Sequence, residues 1–329
     1  MSKLVLQLVV WNGAHYLPHH LASLRTQSFR DWELVVIDNG STDSSPRVLE
    51  EQLAEFSQQT RLICNRENRG FSGGHNQAFV SAESEYVQLL NQDTVLDPSY
   101  LERLVAFLEA RDDVAAVQGA LLRWDFERNV QTDVIDTLGL KMCRSRRVCE
   151  LSTGHQLSTI SSHGAPSREI FGVSGALPMY RRTSVIAVAS GGALFDEAYG
   201  SYKEDIDLAW RLRGAGWRAF VIPTACAWHD RTADAGKRRR SRSPMERRLS
   251  YRNHLMTIIK NEQWRTFRRD WRPIVWYEMR KLGYACMCEW GTLRGFFEVL
   301  YALPRLLRQR RTILARATAP PEVMRRWFV

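Results

Sequence analysis

Short β-branched and leucine-rich runs alternate with longer amphipathic stretches through the first half of the chain, the pattern of strand-helix-strand units around a parallel sheet. Runs at 4–10, 33–38, 61–64, 86–90 and 114–118 predict strands, and stretches at about 16–27, 44–56, 73–83 and 98–110 predict the helices between them. Pro98 after Asp97, and Ser44 and Ser45 before Pro46, are helix-start signals, because a first helical turn leaves its amide hydrogens unpaired and proline has none to lose. Through 123–170, polar residues and isolated glycines loosen the pattern into strands and loops. Order returns over 171–180 and again in a helix over 204–215 closed by Gly216, followed by a strand at 219–222. The run KRRRSRS at 237–243 reads as an exposed loop. Beyond it Leu255, Ile258 and Ile259, then Phe296, Val299, Leu300 and Leu303, recur at helical spacing. There is no internal repeat. Nor is there an uninterrupted apolar stretch of about 18 residues, so no spanning helix is expected.

With 329 residues, 44% of them apolar and 25% charged, the chain can bury a substantial core. That excludes a disordered protein and leaves room for one large domain or a domain with an appendage. The six cysteines form no CxxC pair and no signal sequence precedes the first apolar run, so a reducing cytoplasm is the expected compartment, with Cys286 and Cys288 as buried thiols. The net charge of +10 is unevenly spread: residues 1–229 carry 22 Lys and Arg against 27 Asp and Glu, and residues 230–329 carry 24 against 9. A basic tail with Trp271, Trp276, Trp290, Phe296, Phe297 and Tyr301 among its arginines suits an anionic membrane surface as well as nucleic acid. Membrane contact, without a spanning segment, is expected to be peripheral.

In a doubly wound sheet, ligands gather at the carboxyl ends of the strands, where loops and helix N-termini converge. The polar residues cluster at those ends: Trp11-Asn12-Gly13, then Asp38-Asn39-Gly40-Ser41-Thr42-Asp43, then Asn68-Arg69-Gly70-Phe71, then Asn91-Gln92-Asp93-Thr94. Asp38 is placed either to accept the N3–H of a pyrimidine or, with Asp43, to cap the turn and the next helix. Asp93 closes an apolar strand and suits a divalent cation bridging to a diphosphate, a capping aspartate being the plainer alternative. His229 is a second candidate ligand, or a structural histidine. Glu204-Asp205-Ile206-Asp207 opens a helix, whose N-terminus favours negative charge, but three acids are more than a cap needs. One of them, held near a partly buried cleft, could take a proton from an acceptor hydroxyl.

In this order the segments resemble glycosyltransferase family 2, and in particular its rhamnosyltransferase-like branch. VVWNGAHYLPHHLASLRTQ resembles the opening strand and helix, VVIDNGSTD the nucleotide-binding signature, NRGFSGGHNQAF the following glycine-rich segment, and NQDT stands at the DxD position. FGVSGALPMYRR resembles the acceptor-side strand, and FDEAYGSYKEDIDLAWRLRGAGWRAFVIPTACAWH the helix containing the paired Glu and Asp, with its trailing histidine. The resemblance, over about residues 4–230, implies a GT-A (Rossmann-like) α/β fold, a nucleotide-sugar donor and inversion at the anomeric carbon by direct displacement. It assigns Asp38 to base recognition, Asp93 and His229 to a divalent metal (Mg2+ or Mn2+), and Asp205 to general-base catalysis with Glu204 and Asp207 beside it. The donor pocket it implies takes in Trp11, Asn12, Asn39, Ser41, Asn68, Gly70, Asn76, Asn91 and Gln92. The acceptor side takes in Ser174, Gly175, Trp210 and Arg211. One departure matters: Asn91 stands where the stricter pattern has Asp, so only Asp93 offers a charged oxygen there and metal binding leans on His229.

On this reading residues 1–236 form the catalytic domain, its donor-binding part at about 1–120 and its acceptor side at about 121–236. Residues 237–329, in which SYRNHLMTIIKNE and ALPRLLRQRRTIL resemble the tail of the branch, form a basic, amphipathic helical appendage. Its apolar faces either pack on the core or lie on anionic lipid at the inner face of the cytoplasmic membrane. The branch points first to dTDP-rhamnose, then to UDP-hexoses, and to a glycan or lipid-linked acceptor in cell-surface polysaccharide synthesis. Two rivals are weighed against it. A sugar-phosphate nucleotidyltransferase would open with a glycine-rich phosphate loop where this chain has Trp11-Asn12-Gly13-Ala14. A non-enzymatic nucleic-acid binder built on KRRRSRS would leave the strand-end motifs without a purpose, and no nucleic-acid partner is expected. The sequence does not set the oligomeric state.

Overall fold

The computed structural model describes residues 2–160, 166–189, 192–230 and 243–329. Its first part alternates as the hydrophobic pattern requires: β1 (Leu4–Val10), α1 (Leu17–Arg25), β2 (Trp32–Asp38), α2 (Ser45–Leu53), β3 (Thr60–Cys64), α3 (Gly70–Ser81), β4 (Tyr86–Asn91), β5 (Thr94–Leu96) and α4 (Tyr100–Glu109). β1 pairs in parallel with both β2 and β4, and β2 with β3. A strand covered on both faces must be largely apolar on both, which is why β1 and β4 read as apolar runs interrupted inside only by the buried Gln7 and Gln88. Leu4, Leu6 and Leu8 face α1, α2 and α4, while Val5 packs with Val35, Ile37 and Ala78 of α3.

The middle of the chain adds β6 (Val114–Asp125), β7 (Val130–Thr137), β8 (Leu140–Met142), β9 (Val148–Glu150), a short α5 (Leu157–Ile160), β10 (Arg168–Glu169), β11 (Met179–Arg181), α6 (Arg182–Val188), α7 (Glu204–Gly214) and β12 (Arg218–His229); β8 and β9 pair in a separate two-stranded sheet, and the other strands complete the main one. The order across the main sheet is β10-β12-β6-β11-β4-β1-β2-β3, with β5 on β12 and β7 on β6. The strand expected over 171–180 is mostly irregular, and only Met179–Arg181 joins the sheet, antiparallel between β4 and β6. Its earlier amides turn to side chains: Ser174 N–H donates to Gln118 Oε1 and Gly175 N–H to Asp205 Oδ2. β12 runs well past the expected 222, because the chain recovers its register after a bulge between Ile222 and Cys226.

The C-terminal helices are α8 (Pro244–Asn261), α9 (Trp264–Cys288), α10 (Trp290–Ala315) and α11 (Pro321–Arg325). Ser243 and Glu246 form a capping box at the head of α8; the preceding basic residues 237–242 lie outside the described residues. These helices are tied to the sheet domain by buried polar contacts. Arg146, beyond the β8 strand, is fully enclosed by Glu262, Asp270 and the ring of Phe328. The outer faces of α9 and α10 instead expose Trp264, Trp271, Trp276, Trp290, Phe297 and Tyr301. Cys286 and Cys288, expected to be buried, are exposed at the end of this amphipathic helix pair. No described helix is long and apolar enough to cross a membrane.

Candidate active site

The loops after β1, β2 and β3 hold one another through the side chains that the sequence singles out. Asn12, in a left-handed conformation, donates its N–H to Ser41 Oγ and accepts the Thr42 N–H, and Gly13 N–H reaches Ser45 Oγ. Asn39 accepts from Arg69 N–H and donates to Asn68 Oδ1 and the Gly70 carbonyl, while Asn68 Oδ1 also accepts the Gly70 N–H. Gln92 pairs with both main-chain groups of Trp11. Trp11 keeps its indole half exposed, at 52%. Asp38 is 3% exposed, with Oδ2 on the Ser41 N–H and Oδ1 buried without a partner among the described residues. A buried acceptor left unpaired is costly, so that oxygen is suited to a donor brought by a ligand.

At the end of the neighbouring strand, β5 pairs antiparallel with the last residues of β12, His229 opposite Thr94. This register brings His229 Nε2 to 3.5 Å from Asp93 Oδ2, while Nδ1 lies 3.0 Å from Asp136 Oδ2 on β7. Burial alone would lower the imidazole pKa; Asp93 and Asp136 override it and raise it to about 10. Burial would likewise raise Asp93, but His229 holds it below the ordinary carboxylate range. A carboxylate behind one nitrogen of a histidine whose other nitrogen meets a second carboxylate is the arrangement that orients histidine toward a cation. Among the described residues, no group of three or more His, Cys, Asp or Glu side chains gathers into a metal cluster. A cation here would therefore complete its shell from ligand and solvent oxygens.

Asp205 stands at the head of α7. Its Oδ2 accepts the Gly175 N–H at 3.0 Å and its Oδ1 the Ile206 N–H at 2.8 Å. The adjacent Ala176 carbonyl accepts the N–H of Asn91, the last residue of β4, which links the loop that holds Asp205 to the strand leading into Asp93. Burial raises the Asp205 carboxyl, an effect only partly offset by Lys203 and the two amides. Glu204 is raised much further, by burial and then by the Asp205 charge.

The structure separates residues that the sequence groups together. Glu204, expected beside the base, is 6% exposed, and its Oε2 is buried with no hydrogen-bond partner among the described residues. Asp207 turns away to Arg211, Lys260 and Asn261. Arg211 and Trp210, expected on the acceptor side, are both buried. The Arg211 guanidinium binds Asp207 and the carbonyls of Val188 and Leu194, and Trp210 packs on Phe328. Asn76, expected in the donor pocket, uses both ends of its amide on the main chain of Phe195. Ser174 is buried against Gln118. Asp136 and Asn253 were not singled out: Asp136 lies in the stretch without clear periodicity, and an asparagine on a polar helix carries no signal of its own.

Solved structures and curated sequences place this geometry among known proteins. A mannosyltransferase of Pyrobaculum calidifontis, in complex with GDP-Man and Mn2+, shares the fold at a TM-score of 0.53 and 16% identity, covering 96% of this chain and 86% of that one. The candidate glycosyltransferase EpsE of Bacillus subtilis is 29% identical over 116 residues, 35% of this chain and 42% of the relative. The teichoic acid poly(glycerol phosphate) polymerase of Staphylococcus epidermidis is 29% identical over 96 residues, 29% of this chain and 13% of that one. This chain thus spans less than half the length of either curated relative. The profile of glycosyl transferase family 2 matches residues 8–185, from within β1 to within α6, and so includes both the donor-side loops and Asp93. The fold is GT-A, and with more than half of its length matched the chain belongs to glycosyl transferase family 2.

Proposed function

We propose that the chain transfers a sugar from a nucleoside diphosphate donor to a hydroxyl of a glycan or lipid-linked acceptor, inverting the anomeric carbon. The observation that carries this reading is Asp205: a carboxylate of raised pKa at the head of α7, held by the Gly175 N–H of a loop that is itself hydrogen-bonded to Asn91, at the end of the strand leading to Asp93. Asp38 Oδ1 would accept the base N–H, and Trp11 would flank the donor. Asp93 and His229 would hold Mg2+ or Mn2+, with Asp136 fixing the ring. The bound ion would neutralise charge on the departing diphosphate. Asp205 takes the proton of the acceptor hydroxyl as its oxygen bonds to the anomeric carbon; the carbon–oxygen bond to the diphosphate breaks, and its electron pair leaves with the diphosphate. A carboxylate of raised pKa is the stronger base for that step. The mannosyltransferase complex supports a nucleotide-sugar donor, and the teichoic acid polymerase supports a cell-surface polymer as product.

The test is a mass-detected transfer screen over dTDP-, UDP- and GDP-sugars with Mn2+ or Mg2+, dTDP-rhamnose first, on wild type and Asp205→Asn. The variant should lose about 100- to 10,000-fold in turnover, the range for a removed general base. Undiminished turnover would overturn the assignment. The exposed tryptophans of α9 and α10, set among arginines, support docking on an anionic bilayer. Sedimentation with vesicles containing anionic lipid, compared with neutral vesicles, tests this; equal recovery with both would count against it.

A further inference from the structure

The turn that delivers Asp205 is unusual. Tyr202 and Lys203 are consecutive and both left-handed, with φ of 74° and 73°, a conformation that side chains other than glycine, asparagine and aspartate rarely adopt. Such a turn persists only where its surroundings over-determine it. Here they come from the C-terminal helix α8. The Asn253 side chain is fully buried, and its Nδ2 lies 2.9, 2.9 and 2.7 Å from the carbonyls of Tyr199, Ser201 and Tyr202, which share its two N–H groups. Arg252 adds a contact to the Ala198 carbonyl at 2.7 Å, and Thr257 meets the Tyr199 hydroxyl at 2.9 Å.

The same turn also touches the donor side. Ser72 N–H, in the first turn of α3, donates to the Gly200 carbonyl at 2.8 Å, and Phe71 N–H donates to Ser201 Oγ. A side chain at Gly70 would come within 2.7 Å of that Gly200 carbonyl. The segment 198–203 is therefore a junction of three helices: α3 of the donor pocket, α7 with the base, and α8 from the C-terminal region.

We infer that Asn253 is a positioning residue for sugar transfer, holding the left-handed turn at 202–203 so that Asp205 is aimed relative to the donor helix. The inference rests on the glycosyltransferase reading above. It gives α8 a part in the chemistry that is separate from membrane docking, although no atom of α8 is placed on the substrate.

The test is a double-mutant cycle read in turnover. Asn253→Ala should lower kcat by about 10- to 100-fold, the scale expected when a catalytic group is misplaced by about an ångström. Its KM for the donor, and its affinity for the nucleoside diphosphate with Mn2+, should stay within about twofold, as expected for a loss confined to the transition state. Glycine adopts the left-handed region without strain, so in a background carrying both Tyr202→Gly and Lys203→Gly the turn no longer depends on the clamp. There the same Asn253→Ala change should cost less than about threefold, a coupling that independent sites do not show. An equal loss in both backgrounds, or a loss in KM alone, would overturn the proposal. Should the alanine variant not fold, Asn253→Ser retains one donor for the carbonyls, and turnover equal to wild type would overturn it as well. Wild type that transfers no sugar from any donor would instead refute the proposed function, whereas active wild type with an indifferent Asn253 refutes only the clamp.

Discussion

The two sides of the candidate site are built differently. The donor-side loops after β1, β2 and β3 are stitched to one another by Asn12, Ser41, Asn39 and Asn68, residues that lie at most about one strand-helix unit apart in the chain. The turn before Asp205 makes local backbone bonds and bonds to α3, and adds to them contacts from the C-terminal helices. It is held by Asn253, Lys260 and Asn261, some fifty residues downstream, and by Arg305 and Gln309 from α10 through Asp196. A self-supporting pocket can bind its nucleotide with the rest of the molecule perturbed. A remotely supported base cannot keep its aim.

The strongest way to break this contrast is Lys260→Ala. Lys260 is 2% exposed and bridges Asp196 and Asp207, each at 3.1 Å. Its removal leaves buried carboxylates short of a cation and should cost about 3–5 kcal/mol of stability by urea unfolding, the scale for one partner of a buried pair. Burial would raise Asp207, but Lys260 and Arg211 hold it below its ordinary range. Its stabilising contribution is therefore present above the unfolded value near 4 and is lost as pH falls through the depressed folded value. The Lys260→Ala penalty should shrink in acid; a penalty independent of pH would remove the ion pair as its cause.

A smaller effect belongs to the donor side. Asp136→Asn leaves Asp93 and His229 in place but removes the carboxylate behind the ring, and should weaken Mn2+-dependent nucleoside diphosphate binding by about 10- to 100-fold in calorimetry. Binding without metal should be unchanged. Unaltered Mn2+ dependence would count against a cation at this pair.

The smallest effect separates two adjacent acids. Glu204→Gln should leave turnover within about tenfold of wild type, far from the loss expected for Asp205→Asn. At neutral pH it should raise stability by about 1 kcal/mol, because a carboxylate that is ionised in the unfolded chain no longer has to take up a proton to be buried. The folded pKa of Glu204 lies well above the unfolded value near 4.3, so the favourable contribution of its proton is complete below that value and is lost as pH rises through the folded one. The stabilisation by Gln should therefore grow with pH, and thermal melts across that range would show it.

Much of this architecture is legible in the sequence because its cause is local. A strand buried on both faces must be largely apolar, so β1, β2 and β4 announce themselves, and the helix start at Pro46 follows from proline's missing donor, whereas Pro98 falls just before Ser99, the N-cap of α4. The strand over 171–180 was not so determined. Gly172, Gly175 and Pro178 interrupt it, and its amides find partners in Gln118 and Asp205, which lie far away in sequence. Trp210 and Arg211 follow the acids on one helix, but helical rotation points them into the core instead of the cleft.

By itself the sequence determined the alternating α/β order, the polar residues at four strand ends and the position of Asp205 at the head of a helix, since each follows from periodicity or from a turn within a few residues. Only the tertiary structure decided that His229 meets Asp93 with Asp136 behind it, that Glu204 is buried while Asp207 turns to Arg211 and Lys260, and that Asn253 closes the turn between α3 and Asp205. Those arrangements depend on strand register and on contacts across fifty or more residues, and nothing in a one-dimensional pattern encodes which distant carbonyl a buried amide will find.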